Sequence, residues 1–258
     1  MHVRELFDLR GRVALVTGGS RGLGHQIAEA LGEAGARIAI TARKRPELEQ
    51  ACERLAAQGI EATPWACDLG RREEVLPLVD SVLEACGRVD ILVNNAGATW
   101  GAPAEDHPLE AWDKLVALNL TANFLLSQAI AKRSMIPARW GRIVNVASIA
   151  GLTASDPRYV RTAAYNATKH GVVGLTRQLA AEWGEHGITV NAICPGFFPS
   201  RMTRATLASA GEEIRRATPT RRLGGEDDLK GLALLLSSEA GRHITGQAIA
   251  VDGGASIV

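Results

Sequence analysis

The chain carries no surplus of charge of either sign. Its 29 lysines and arginines stand against 28 aspartates and glutamates, a net charge of +1 over 258 residues. So even a balance leaves no electrostatic footprint for nucleic acid or an anionic membrane, and neither is expected as a partner. The four cysteines, Cys52, Cys67, Cys86 and Cys194, are scattered and form no Cys-x-x-Cys pair. That usage suits buried thiols in a reducing cytosol. The six histidines never fall into a His-Glu-x-x-His pattern, so no metal site is expected. No apolar stretch of signal-peptide length opens the chain, and no later run approaches a membrane span. A soluble, cytoplasmic protein is the expectation. Proline- and serine-rich linkers, charge blocks and fixed-period repeats are absent too, which makes 1–258 a single expected domain.

What is present is apolar material, 46% of residues against 22% charged, enough for a sizeable core. It comes as short apolar runs alternating with longer amphipathic ones. Val13–Val16, Ile38–Ile40, Ile91–Val93, Ile143–Val146, Ile188–Val190 and Ala248–Val251 read as strands, with Ile60–Cys67 a weaker one. They are too continuously apolar for half-exposed strands and suit a parallel sheet covered on both faces. Helices are predicted over 23–34, 46–58, 71–86, 109–135, 163–184 and 226–239. The alternation predicts a doubly wound α/β sheet with right-handed crossovers. The least regular segments, 149–162 and 195–225, follow predicted strands. They are expected to frame a substrate, because ligands in such sheets bind beyond the strand C-termini.

Two local patterns carry chemistry. Val13–Thr17 runs into Gly18-Gly19-Ser20-Arg21-Gly22-Leu23-Gly24 and straight on into a helix. Glycines there permit a tight turn and close approach of phosphate to the N–H groups of a helix N-terminus. In the helix from Ala163, Tyr165 and Lys169 stand four apart and share a face. An ammonium ~5 Å from a phenol, at an effective dielectric near 20, favours the phenolate by roughly 3 kcal/mol, about two pKa units. Tyr165 could then exchange a proton with a carbonyl or an alcohol. The same spacing also fits a core-edge tyrosine beside a solvated lysine, and the rest of the chain has to decide.

Thr17–Gly24, then Asn94-Asn95-Ala96-Gly97, then Ser148 ahead of Tyr165-x-x-x-Lys169, then Pro195-Gly196, resembles the short-chain dehydrogenase/reductase family. The match covers nearly the whole chain with the motifs in family order. The resemblance implies a single-domain Rossmann-type fold, a seven-stranded parallel sheet with helices on both faces. It implies a catalytic set of Asn119, Ser148, Tyr165 and Lys169. Tyr165 would act as general acid/base, Ser148 would hold the carbonyl oxygen, and Asn119 would reach the lysine through a water relay. Lys169 would bind nicotinamide-ribose hydroxyls and depress the Tyr165 pKa. A turn cap is the plainer alternative for Ser148, and Asn119 reads equally as a structural residue.

The resemblance also implies a nicotinamide dinucleotide. Gly18, Gly22 and Gly24, with Ser20, Arg21 and Leu23 of the same turn, would line the pyrophosphate. Asp68, with Leu69 beside it, would meet the adenine. Asn94, Ala96 and Gly97 would pass along the adenosine half, and Pro195, Gly196, the backbone at Phe198 and Ser200 would meet the nicotinamide amide. Phe198 and Ser200 stand where the family usually has a small β-branched residue and a threonine. At the end of strand two an NAD site usually places a carboxylate for the ribose 2′-hydroxyl. This chain has Ala42 followed by Arg43-Lys44-Arg45. Arg43, helped by Arg21, would suit a 2′-phosphate, so NADP(H) is expected over NAD(H). Ser148 to Tyr165 is a few residues longer than is usual, the extra length falling in 152–161. Arg158, Arg161, Arg201 and Arg204 could recognise an anionic group, or could be ordinary surface arginines. The resemblance further implies a homotetramer acting on a small carbonyl or alcohol, among gluconate 5-dehydrogenase-like or 3-oxoacyl-carrier-protein-reductase-like members. A dinucleotide-sensing protein on the same fold is the rival, but such members typically lose the tyrosine or the lysine.

Overall fold

In the computed structural model, which describes residues 1–258, seven parallel strands form one sheet in the order β3-β2-β1-β4-β5-β6-β7. They are β1 (Val13–Thr17), β2 (Arg37–Ala42), β3 (Ala62–Ala66), β4 (Ile91–Asn94), β5 (Gly141–Val146), β6 (Ile188–Pro195) and β7 (Ala248–Val251). The chain builds outward from β1 to β3, then returns to lay β4 on the other side of β1. The order therefore reverses between β1 and β4, which opens a crevice beyond their C-terminal ends.

The connections are α1 (Gly22–Glu33), α2 (Arg45–Ala56), α3 (Arg72–Cys86), α4 (Leu109–Ala138), α5 (Ala163–Trp183), α6 (Arg204–Ala217) and α7 (Lys230–Ser237). Alternation along β1 shows how both faces are buried. Ala14 and Val16 pack with Ile27 and Leu31 of α1, Leu48 of α2 and Leu236 of α7. Leu15 points the other way, to Val79 of α3, Leu126 of α4 and Leu179 of α5. With no solvent-facing side, the strands have no reason to alternate polar and apolar residues.

Three expectations are corrected. By length and a mean hydropathy of 1.2, α4 is apolar enough to cross a membrane, although no run was expected to approach one. Half of that apolar window is buried in the fold, and Leu115, Leu126 and Ile130 lie in the interior. Segment 195–225 is not irregular throughout, because it contains the fourteen-residue α6. Only Ile214 of α6 is buried, so its sequence carries too narrow an apolar stripe to announce a helix. Residues 226–239 give a shorter helix, α7, preceded by a turn in which Asp228 accepts from Gly225 N–H at 2.7 Å.

Candidate active site

The turn after β1 is shaped for an anion. Gly18 and Gly22 have φ of +65° and +56°, which glycine adopts without the strain a side chain would bring. At Gly24 an added Cβ would meet Gly18 O at 2.5 Å and also the Asn95 amide, so the turn lies tightly on the end of β4. At Gly22 an added Cβ would meet nothing within 4 Å. Arg21 supplies no side-chain cap, so the first N–H groups of α1 face an open crevice. This arrangement fits a pyrophosphate. The buried Ser20 receives Arg54 on its carbonyl at 3.0 Å, and Leu23 packs on the core.

Two residues outside the expected site fasten this crevice. Thr17 Oγ1 accepts from both Asn95 N and Ala96 N at 2.9 Å, and Asn95 Nδ2 donates to Thr17 O at 2.8 Å. They tie the end of β1 to the bend after β4. Asn95 stood in the quoted motif, but only the fold reveals its partner 78 residues away.

Several expected cofactor residues use their side chains elsewhere. Asn94 is fully buried, and its Nδ2 donates to Ser127 Oγ at 3.1 Å and Asn145 Oδ1 at 2.9 Å. Its side chain therefore points into the interior, away from the crevice. Asp68 Oδ1 accepts from Gly70 N at 3.1 Å and so caps its own turn, while Leu69 is core. Phe198 is buried against Gly224, and its carbonyl accepts from Thr203 Oγ1 at 2.5 Å. Ser200 N donates to Thr203 Oγ1 and Thr203 N to Ser200 Oγ, at 3.0 and 3.2 Å, a reciprocal pair that starts α6. Pro195 ends β6, and Gly196 N donates to Val251 O at 3.0 Å. Arg43 is exposed without an ion-pair partner, whereas Arg21 is paired with Glu47 on α2.

Asn119, Ser148, Tyr165 and Lys169 come from α4, the end of β5 and α5. Asn119 sits in a π-helical turn, Ala117–Thr121, of the kind often found at functional sites. Its side chain is fully buried and satisfied: Oδ1 accepts from Ala98 N at 2.9 Å. Its Nδ2 donates to Ala98 O at 2.9 Å and to Thr168 Oγ1 at 3.1 Å. It clamps the loop after β4 to α5, next to Lys169. A Cβ on Gly97 would lie 3.3 Å from Asn119 Oδ1 and 3.7 Å from Lys169 Nζ, so all three meet at one point. Ser148 Oγ caps the following turn by accepting from Ala150 N at 3.1 Å, and its hydroxyl lies near enough to the Tyr165 phenol to lower its pKa.

The electrostatics differ from the expectation. Desolvation raises the Tyr165 phenol above its ordinary value; the neighbouring Ser148 hydroxyl works the other way, and Cys194 nearby adds a small push upward. Lys169 Nζ lies 5.6 Å from the Tyr165 ring centroid and donates to Val146 O at 2.7 Å. It is almost fully buried, and desolvation pulls it down to about 8. Desolvation therefore governs both groups, and the tyrosine is raised, not depressed, with the lysine one turn away. The phenol is protonated at neutral pH, the state of a proton donor.

This burial has a measurable consequence for stability. Between pH 8 and 10.5 the unfolded lysine holds a proton that folded Lys169 has released, so folding gains as pH rises through that window. Urea unfolding should show Lys169→Met losing about 2–3 kcal/mol relative to wild type across it. A pH-independent difference between the two would contradict a buried, depressed lysine.

A family model for short chain dehydrogenases matches residues 12–210. The chain belongs to the short-chain dehydrogenase/reductase family. It is an oxidoreductase of alcohol and ketone groups. This short-chain dehydrogenase is 36% identical to a gluconate 5-dehydrogenase of Gluconobacter oxydans, over 98% of each chain. It is 41% identical to the rhamnolipids biosynthesis 3-oxoacyl-[acyl-carrier-protein] reductase of Pseudomonas aeruginosa, over 96% of this chain and 97% of the relative. Among solved structures it is similar to a gluconate 5-dehydrogenase from Burkholderia cenocepacia in complex with NADP and tartrate. The TM-score is 0.93 and the identity 34%, over the whole of both chains.

Proposed function

We propose that this dehydrogenase uses NADP(H) to interconvert a ketone and a secondary alcohol on a small anionic substrate of the sugar-acid kind, with Tyr165 as general acid and base. The observation that carries the reading is the half-buried Tyr165, whose phenol desolvation keeps protonated beside the Ser148 hydroxyl, with Lys169 one helical turn on. When bound, the nicotinamide supplies or accepts the hydride. The chain's own residues do the rest. Tyr165 gives its proton to the substrate oxygen in reduction and takes it back in oxidation. Ser148 donates to that oxygen and steadies the charge developing on it. Lys169, fixed by Val146 O, holds a cation beside Gly97 where ribose hydroxyls would lie, and Asn119 sets the position of both.

The open N-terminus of α1 suits the pyrophosphate, and the unpaired Arg43 with Arg21 and Lys44 suits a 2′-phosphate. The NADP in the Burkholderia cenocepacia structure supports the same choice. An acidic substrate is supported by Arg161, exposed and without an acidic partner, four residues before Tyr165. Its carbonyl accepts from Ala102 N at 2.9 Å, which holds it against the loop after β4. Arg158 and Arg201 are already neutralised by Asp156 and Glu47. A second reading, 3-oxoacyl thioester reduction, has its own support. Trp100 and Met202, in the loops after β4 and β6, are 51% and 42% exposed and offer apolar surface to an acyl chain.

Comparing 5-ketogluconate with an acetoacetyl thioester under NADPH separates the two. The sugar acid should show at least about tenfold higher kcat/KM, a margin one charged hydrogen bond supplies. A thioester preference would overturn the sugar-acid reading and leave the carbonyl chemistry in place. A homotetramer is supported by Leu109, Trp112 and Phe124 exposed on α4, and by open space at Gly174 on α5. Gly171, by contrast, is needed within the chain, since its Cβ would touch Leu120 at 3.0 Å. The four free thiols support a cytoplasmic location.

A further inference from the structure

Glu47, in the first turn of α2, is a meeting point of cations from three separate segments. Its carboxylate pairs with Arg21 of the turn after β1. It also reaches Lys44 Nζ at 3.5 Å, from the corner after β2, and Arg201 Nη2 at 3.7 Å, from the loop after β6. The first two of those cations flank the corner where, on the NADP(H) reading, the 2′-phosphate of the adenosine ribose would sit. Arg43, next to Lys44 in the chain and exposed, has no acidic partner. Burial works against a charge on Glu47, but Arg21, Lys44 and Arg201 more than offset it, so its carboxyl lies below the ordinary range.

We infer that Glu47 sets cofactor discrimination by acting as a resident anion that holds Arg21 and Lys44 and has to yield them to a 2′-phosphate. The phosphate carries up to two negative charges at pH 7 and competes for the same donors. An unphosphorylated ribose makes no such demand, and its 2′-hydroxyl can donate to the carboxylate. Glu47 thus penalises NADPH and leaves NADH untouched or favoured. Arg201 makes the exchange cheap: when Arg21 and Lys44 turn to phosphate, Glu47 keeps a guanidinium partner and is not left as an unpaired anion.

The inference rests on the ribose lying at the β2 corner, and its test is a binding measurement that needs no turnover. NADPH and NADH are titrated into wild type, Glu47→Gln and Glu49→Gln, following tryptophan and nicotinamide fluorescence at low salt. Glu49 removes the same charge but pairs with Arg45 at 2.8 Å, outside the cluster. Glu47→Gln should raise the NADPH-to-NADH affinity ratio roughly tenfold, the scale for a doubly charged group ~6 Å from a carboxylate in water. Glu49→Gln should leave the ratio within about twofold, because Glu49 pairs with Arg45 and holds neither Arg21 nor Lys44. An unchanged ratio in Glu47→Gln, or an equal rise in Glu49→Gln, overturns the inference. A wild type that binds NADH more tightly contradicts the NADP(H) reading instead, since the inference concerns only the change in ratio.

Discussion

Tyr165→Phe is expected to lower kcat by about three orders of magnitude, within the range general acid–base catalysis contributes. The fold and NADPH affinity should be preserved. The lost hydroxyl makes no structural hydrogen bond to the rest of the fold, and the ring keeps its place in the first turns of α5. The effect should fall on kcat and kcat/KM alike, because the proton moves only in the transition state. Direction matters as well. Reduction needs the protonated phenol, which burial favours, whereas alcohol oxidation needs the phenolate. Oxidation by the wild type should therefore climb with pH through the alkaline range. Steady-state rates in both directions, with circular dichroism and NADPH titration as controls, check all three statements.

Gly151→Ala should be the next most damaging change. Gly151 closes the turn Ile149–Gly151 that Ser148 caps, and the turn packs directly on the backbone of α5. A Cβ there would fall 2.6 Å from Lys169 O and 2.8 Å from Lys169 C, atoms that cannot rotate aside. Either the turn lifts away from the helix or the helix yields, and in both cases Ser148 leaves Tyr165. We expect a stability loss of about 1–3 kcal/mol, the scale of overpacking. We expect about a hundredfold loss of kcat, the scale of an ångström's misplacement. Thermal melting and steady-state rates would reveal it; a wild-type rate would mean that the turn does not position Ser148.

Much of this architecture was legible in the sequence, because its signals are local. Val13–Thr17 is wholly buried and apolar up to Val16, and the glycine turn follows it without interruption. Tyr165 and Lys169 lie on one helix, so their spacing carries their geometry. What the sequence hid depends on partners distant in the chain. The sequence does not show that Ser127 and Asn145 take the Asn94 amide, or that Thr203 meets the Ser200 hydroxyl where α6 begins, and α6 itself buries too little to be seen. The Ser200-x-x-Thr203 spacing before an alanine-rich run was the available signal. The lysine's effect on Tyr165 was misjudged for a similar reason. Coulomb attraction can be judged from spacing, but desolvation requires knowing what surrounds the pair. Nothing local in the sequence marks Glu47, because the cations that meet its carboxylate come from three segments.

The central claim, an NADP(H)-dependent carbonyl–alcohol oxidoreductase acting through Tyr165, is tested most directly by kcat/KM for ketone reduction. It should be measured with NADPH and with NADH, in wild type and Tyr165→Phe, from the loss of reduced-nicotinamide absorbance. Wild type should oxidise NADPH more efficiently than NADH, and the phenylalanine variant should oxidise neither at a comparable rate. A preference for NADH, or a Tyr165→Phe rate equal to wild type, would contradict the account.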